Sequence, residues 1–267
     1  MSMTTTTPPE TPLSGWQVLV TRPAGDADAL MARLPALGAS AAHAPLLVID
    51  PLPPRDDEAG IIADLDRIDF VIVTSRNAVR HGMPRLADRW PQWPLGQQWI
   101  AIGRATARAL DAFGIAAATP ADERSEGLLA LPALNDVAGQ RILLLSGEGG
   151  RGLIEQTLAA RGAHVTRLDV YRRSANPGAA RLVGDFLHRP PPRAALVSSG
   201  EALHNLLTLA PALVQGDSWL VVPVARVAAD ARALGARRVL VAGRADDESM
   251  LATLVDMAVC SSREDRS

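Results

Sequence analysis

The sequence predicts an α/β fold built on parallel sheets with helices on both faces. Three observations carry this. Short apolar runs alternate with helix-period stretches, the alternation recurs in six segments, and the six form one three-segment pattern used twice.

The first segment opens with Val18-Leu-Val-Thr-Arg-Pro23, a buried-type strand. Leu30, Met31, Leu34 and Leu37 then share one helix face, and Gly38 is the stop signal. A second strand is expected at Pro45–Ile49. The next strand, Phe70-Val-Ile-Val, runs through Thr74-Ser-Arg-Asn77 into a helix with Ala78, Val79 and Met83 on its inner face. Trp99-Ile-Ala-Ile-Gly-Arg104 leads to a helix over Ala105–Phe113, then Gly114 and a short strand; Ser125-Glu-Gly-Leu-Leu begins another helix. The pattern then restarts. Arg141-Ile-Leu-Leu-Leu-Ser-Gly147 precedes a helix with Leu153, Ile154 and Leu158, the stop Gly162, and a strand Val165–Tyr171. Ala194–Gly200 leads to the helix Ala202–Leu209. Leu220–Arg226 leads to a helix, Gly235, a strand Arg238–Val241 and the helix Asp247–Met257. Val-Thr-Ser at 73–75 corresponds to Val-Ser-Ser at 197–199, which supports duplication of a half. The Pro/Asp-rich run Asp50–Glu58 and the stretch Arg173–Gly178 read as interlobe linkers.

Composition removes several chemistries. All 27 basic residues are Arg, so no lysine can form a Schiff base or serve a Walker A loop. Anionic ligands must be held by Arg, backbone N–H groups or hydroxyls. The net charge of -2 without a basic block argues against a duplex nucleic-acid binder. Cys260 is the only cysteine and the five His show no zinc spacing, so neither a disulfide nor a metal site is expected. A lone cysteine fits a reducing compartment, and the expected location is the cytoplasm. Met1–Ser14 reads as a flexible Thr/Pro tail without the apolar core of a secretory signal, and 259–267 as a second tail. No membrane span is expected.

The strand ends carry the chemistry. In open α/β sheets ligands bind beyond the carboxyl ends of the strands. Here those ends are small and hydroxylated: Thr74-Ser75, Ser146-Gly147 and Ser198-Ser199-Gly200. Each feeds a helix N-terminus, where unpaired N–H groups and the helix dipole favour anions. Arg22, Arg76, Arg104, Arg151 and Arg226 stand at or beside the same places. One account is a cleft for a polyanionic ligand; the other is that the hydroxyls are N-caps and the Arg side chains are solvated. Gly147, Gly149 and Gly152 match the spacing of a dinucleotide loop, but no ribose-binding acid ends the next strand; Asp169 lies inside it. Tyr171 is the only tyrosine. At its strand end the phenol can act as a proton donor or pack as an amphipathic residue at the interlobe seam.

These residues resemble the landmarks of the uroporphyrinogen-III synthase family. The resemblance rests on Leu19-Val-Thr-Arg-Pro23, Thr74-Ser-Arg-Asn-Ala-Val79, Ala101-Ile-Gly-Arg-Ala-Thr106, Ser146-Gly-Glu-Gly-Gly-Arg151, Tyr171-Arg172 and Val197-Ser-Ser-Gly-Glu201, taken in order from about Gln17 to Met257. It implies two flavodoxin-like or Rossmann-like lobes joined by a two-stranded β-ladder hinge near His43–Ile49 and Thr166–Arg172. Lobe 1 would be discontinuous, 15–44 plus 176–258; lobe 2 would be 52–165, with linkers at 45–51 and 166–175. The implied reaction is a cofactor-free cyclisation of hydroxymethylbilane, with loss of water and inversion of ring D, in tetrapyrrole biosynthesis. Its substrate is a linear tetrapyrrole with eight carboxylates, passed on from hydroxymethylbilane synthase, and the enzyme would act as a monomer. By motif position Tyr171 would donate a proton to the leaving hydroxyl. Arg22, Thr74, Ser75, Asn77, Gly103, Arg104, Gly147, Gly149, Gly150, Arg151, Ser198, Ser199, Gly200 and Arg226 would bind substrate. Ser146 departs from relatives that carry a larger or basic residue there. The competing expectation is a non-catalytic two-lobed module that binds small anions.

Overall fold

The computed structural model describes residues 11–150 and 152–264, apart from the side chains of 214, 215 and 262–264. The chain forms two compact units. Unit 1 has a first stretch ending at Val48 and a second beginning at Ser174; unit 2 is Ile49–Arg173.

Unit 1 begins with β1 (Gln17–Val20), α1 (Asp28–Ala36) and β2 (Ser40–His43). β3 (Leu47–Pro51) carries the chain into unit 2. Unit 2 continues with α2 (Glu58–Ala63), β4 (Phe70–Val73), α3 (Arg76–Arg89), β5 (Gln98–Ala101), α4 (Arg104–Asp111), α5 (Ser125–Leu129), β6 (Arg141–Gly147) and α6 (Leu153–Ala160). β7 (His164–Ala175) returns the chain to unit 1. There α7 (Ala179–Leu187), β8 (Arg193–Leu196), α8 (Gly200–Leu209), α9 (Pro211–Gln215), β9 (Trp219–Val222), α10 (Ala225–Ala233), β10 (Val239–Val241) and α11 (Asp247–Glu264) complete the chain.

The sheet of unit 1 has the order β10-β9-β8-β1-β2, and its pairs run parallel. The sheet of unit 2 has the order β3-β7-β6-β4-β5, with β4, β5, β6 and β7 mutually parallel. Both sheets are covered on both faces, which is why their strands read as continuous apolar runs. In unit 2, Val71, Val73, Leu143 and Leu145 pack on the face that α3 covers, while Phe70, Ile72, Ile142 and Leu144 pack on the face that α5 and α6 cover. In unit 1, Leu19, Ala195 and Leu220 face one core, and Val18, Val20 and Leu196 face the other.

Several expectations change. The strand expected at Pro45–Ile49 is β3, shifted to Leu47–Pro51, and a further strand, β2, precedes it across Ala44–Leu46. The small residues Ser-Ala-Ala-His become a strand because the backbone of β1 pairs with them. β3 and β7, expected to pair as a ladder, are neighbours, at the edge of the unit 2 sheet. The run Asp50–Glu58 is not a tether: Leu52 N donates to Val170 O, and Glu58 is buried in an ion pair with Arg85 at 3.2 Å. The expected tails are partly folded. Leu13 is fully buried and its N–H donates to Leu37 O, and α11 extends to Glu264; residues 1–10 and 265–267 lie outside the described residues. No helix among the described residues is long and apolar enough to cross a membrane, and these residues hold no cluster of potential metal ligands.

Candidate active site

The carboxyl ends of β4, β5, β6 and β7 open onto a pocket of about 440 Å³ that lies wholly within unit 2. Strand–helix connections build it. Thr74 and Ser75 come from the β4–α3 turn, Ile102 from β5–α4, Ser146, Gly147, Gly149, Gly150 and Gly152 from β6–α6, and Arg167, Tyr171 and Arg173 from β7. Glu123, Arg124 and Ser125 come from the approach to α5.

Tyr171 is the chemically distinctive group. Its ring is 7% exposed, and its hydroxyl lies 3.0 Å from Ser75 Oγ. Ser75 is the N-cap of α3, its Oγ accepting from Ala78 N at 2.9 Å. That hydroxyl can therefore donate its own hydrogen to the phenol oxygen. The phenol O–H is then left to point at a third group, and the Ser75 donor stabilises the charge left when that proton departs. The ring packs flat against Gly147: a Cβ there would stand 2.7 Å from Tyr171 Cε2 and closer to Cζ. His81 of α3 lies alongside, its ring centroid 6.2 Å from that of Tyr171. Burial, with Arg80 and Arg85 nearby, lowers the His81 pKa below the usual imidazole value.

A register shift aims the phenol. Ser146 pairs with Asp169, but Gly147 pairs with Tyr171, leaving Val170 over as a β-bulge. Leu168, Val170 and Tyr171 consequently join the same core, on the α3 side, whereas strict alternation would send Tyr171 to the other face. The opposite face carries the polar groups. Ser146 Oγ donates to Asp169 Oδ1 at 2.5 Å; Arg167 Nε donates to the same carboxylate at 2.9 and 3.1 Å, and Arg167 Nη2 to Gly147 O at 2.9 Å.

The pocket brings together Thr74, Ser75, Gly147, Gly149, Gly150 and Tyr171 of the expected residues. Arg151 lies outside the described residues. Asn77, in the first turn of α3, does not line the pocket; its Oδ1 is buried without a partner. Gly103 and Arg104 do not line the pocket. Gly103 N-caps α4, but Glu123 lies over it, its Cδ 2.8 Å from where a Gly103 Cβ would stand, and its Oε1 accepts from Arg104 Nε at 2.9 Å.

Arg22 lies in unit 1. It is 9% exposed and bonds Asp247 and the carbonyl of Ala245, which makes it an internal strut of unit 1. Ser198, Ser199, Gly200 and Arg226 also belong to unit 1. Ser199 N-caps α8 by accepting from Ala202 N at 3.1 Å. Arg226 pairs with Asp230 at 3.5 Å, and its guanidinium lies 3.8 Å from where a Gly200 Cβ would stand. The sequence offered no signal for Arg167, which sits mid-strand. Arg124 carried a weak one, as the residue before the Ser125-Glu helix start; its guanidinium is held bidentately by Asp122 at 2.7 Å, which raises the Arg124 pKa and lowers that of Asp122.

Comparison with known proteins is consistent along the chain. The family model described as Uroporphyrinogen-III synthase HemD matches residues 28–252. The uroporphyrinogen-III synthase of Escherichia coli is 37% identical over 246 residues, 89% of this chain and 99% of that protein. That of Salmonella typhimurium is 36% identical over 244 residues, with the same coverage. Among solved structures, a mutant uroporphyrinogen III synthase of Thermus thermophilus superposes with a TM-score of 0.63 at 23% identity, covering 92% of this chain and 100% of that one. The Helicobacter pylori uroporphyrinogen-III synthetase gives 0.59 at 14% identity, covering 90% and 99%. These two share the fold.

Proposed function

The chain belongs to the uroporphyrinogen-III synthase family, lyases of tetrapyrrole biosynthesis, and from that premise we propose that the unit 2 pocket holds the reacting end of hydroxymethylbilane with Tyr171 as its acid. The carrying observation is the phenol itself: held by Ser75, packed on Gly147 and lining a pocket that presents hydroxyls, glycine backbone and Arg beside Glu123, Glu155 and apolar side chains such as Leu144 and Ile154.

In this mechanism the ring A hydroxymethyl group sits against Tyr171. The phenol proton passes to the leaving oxygen as its C–O bond breaks, and water departs. The azafulvene that remains is attacked by the substituted carbon of ring D, and the spiro intermediate rearranges with ring D inverted. The carboxylates of the substrate are held by Thr74, Ser75 and the backbone N–H groups of Gly147, Gly149 and Gly150. Much of the rate comes from orientation, since one ring D carbon must react in preference to its neighbour. The protein works as a cytoplasmic monomer that takes its substrate from hydroxymethylbilane synthase.

The test is product identity. Freshly made hydroxymethylbilane is incubated with the protein, and the type I and type III products are resolved. Type III product is expected; type I alone overturns the reading. Tyr171→Phe is expected to cut kcat by about 100-fold with KM little changed, the scale of a lost general acid. Full turnover in that variant removes the assignment of Tyr171.

A further inference from the structure

We propose that Asp169, with Ser146 and Arg167, is a clamp that holds the β6–β7 register shift and so aims the Tyr171 phenol. Asp169 is then a positioning residue for the reaction. The inference rests on Tyr171 being the acid, and it goes beyond that reading by naming what sets the acid's direction.

The clamp lies across the shift. On one side is the last in-register pair, Ser146 with Asp169, joined by the 2.5 Å hydrogen bond between their side chains. On the other is the first shifted pair, Gly147 with Tyr171. Arg167 spans the two, donating from Nε to Asp169 and from Nη2 to Gly147 O at 2.9 Å. Glu148 N donates to Tyr171 O at 2.7 Å, closing the shifted side. Gly147 is the surface on which the ring rests, so fixing its carbonyl fixes the floor under the phenol. Arg167, Asp169 and Tyr171 alternate along β7, and in an unshifted ladder all three would project from one face. Only the shift separates the phenol from the ion pair. Asp169 is not among the residues lining the pocket, whereas Ser146, Arg167 and Tyr171 are. Its influence therefore passes through its two partners. Without its carboxylate, Arg167 loses its closer anchor and keeps only Glu155 at 3.7 Å, Ser146 loses its acceptor, and the ladder can slip toward regular pairing.

Tyr171 is the only tyrosine in the chain, so a protein labelled with ring-¹³C tyrosine gives a signal from this residue alone. The experiment compares Asp169→Ala and Asp169→Asn with the parent by that signal and by turnover of hydroxymethylbilane. The same changes are then made in a Tyr171→Phe background. Asp169→Ala is expected to move or broaden the tyrosine signal and to lower kcat by about 30-fold with KM within about 3-fold, the scale of a small misplacement at a reacting centre. Asp169→Asn, which can still accept from Ser146, is expected to fall between. In the Tyr171→Phe background, Asp169→Ala is expected to cost less than about 2-fold, because a residue acting through Tyr171 has nothing left to position. An unmoved tyrosine signal, parental kcat, or a loss that adds to that of Tyr171→Phe overturns the clamp. Where Asp169→Ala does not fold, Ser146→Ala takes its place under the same outcomes. Full turnover in Tyr171→Phe removes the acid assignment alone, since the tyrosine signal still tests the clamp.

Discussion

At the scale of the residue, Gly147 shows how much depends on a missing methyl group. It needs no unusual backbone; the closeness of the Tyr171 ring is what demands glycine. Gly147→Ala forces the ring or the strand to move, so a loss of about 1–3 kcal/mol in stability is expected, as for overpacking in a core. Turnover should fall with it, because the displaced group is the acid. Gly60 is the contrast. It lies in α2 with open space where a Cβ would stand, so Gly60→Ala should add roughly 0.5–1 kcal/mol by helix propensity and leave turnover alone. Urea unfolding and steady-state assays of the two variants check both. Tyr171 itself was visible in the sequence as the only tyrosine, placed at a strand end. Its direction was not, because the bulge arises from pairing with Ser146 and Gly147, more than twenty positions earlier in the chain.

At the scale of the element, the strand–turn–helix joints do two jobs. Ser75 and Ser199 each cap a helix, and only Ser75 also meets the Tyr171 phenol. Arg22 shows a strand end tied into its own unit: from beyond β1 it reaches Asp247 in the first turn of α11 and the carbonyl of Ala245 before it. Arg22→Met should remove both bonds and leave the Asp247 carboxylate, 23% exposed, without its cation. A loss of about 2 kcal/mol is expected, below the range for fully buried pairs because Asp247 keeps some water; Asp247→Asn should cost less, since the amide can still accept. Chemical denaturation of the two variants checks the order. The strong joints were legible because apolar runs meet Ser, Thr or Gly before a helix period. The weak elements were hidden. Pro53-Pro54 and the acidic residues after Arg55 mask the start of α2, whose Glu58 is buried only because Arg85 reaches it from α3. Asn176-Pro177-Gly178 likewise masks α7 with turn chemistry. Glu123 could not be foreseen over Gly103, since nothing local ties the loop before α5 to the start of α4.

At the scale of the whole molecule, the two units differ in how the chain builds them. Each hydrophobic core belongs to a single unit: two lie within Ile49–Arg173, and the other two draw only on residues outside it. Unit 2 is continuous, and its sheet is sandwiched by its own helices, so everything needed to bury its apolar faces lies in one stretch. Unit 1 is not, because β1 stands between β2 and β8 in its sheet order while β8, β9 and β10 come from the far end of the chain. Removing the first stretch leaves the remaining strands with an open apolar edge and strips Val18, Val20, Leu30 and Leu34 from one core. The excised fragment Ile49–Arg173 is therefore expected to fold, with an α/β circular dichroism spectrum and one cooperative urea transition followed by Trp90, Trp93 and Trp99. The fragment Ser174–Ser267 is expected to show no cooperative transition alone and to gain one when the segment Thr11–Val48 is supplied. A cooperative transition in Ser174–Ser267 by itself, or its absence from Ile49–Arg173, would contradict this division of the cores.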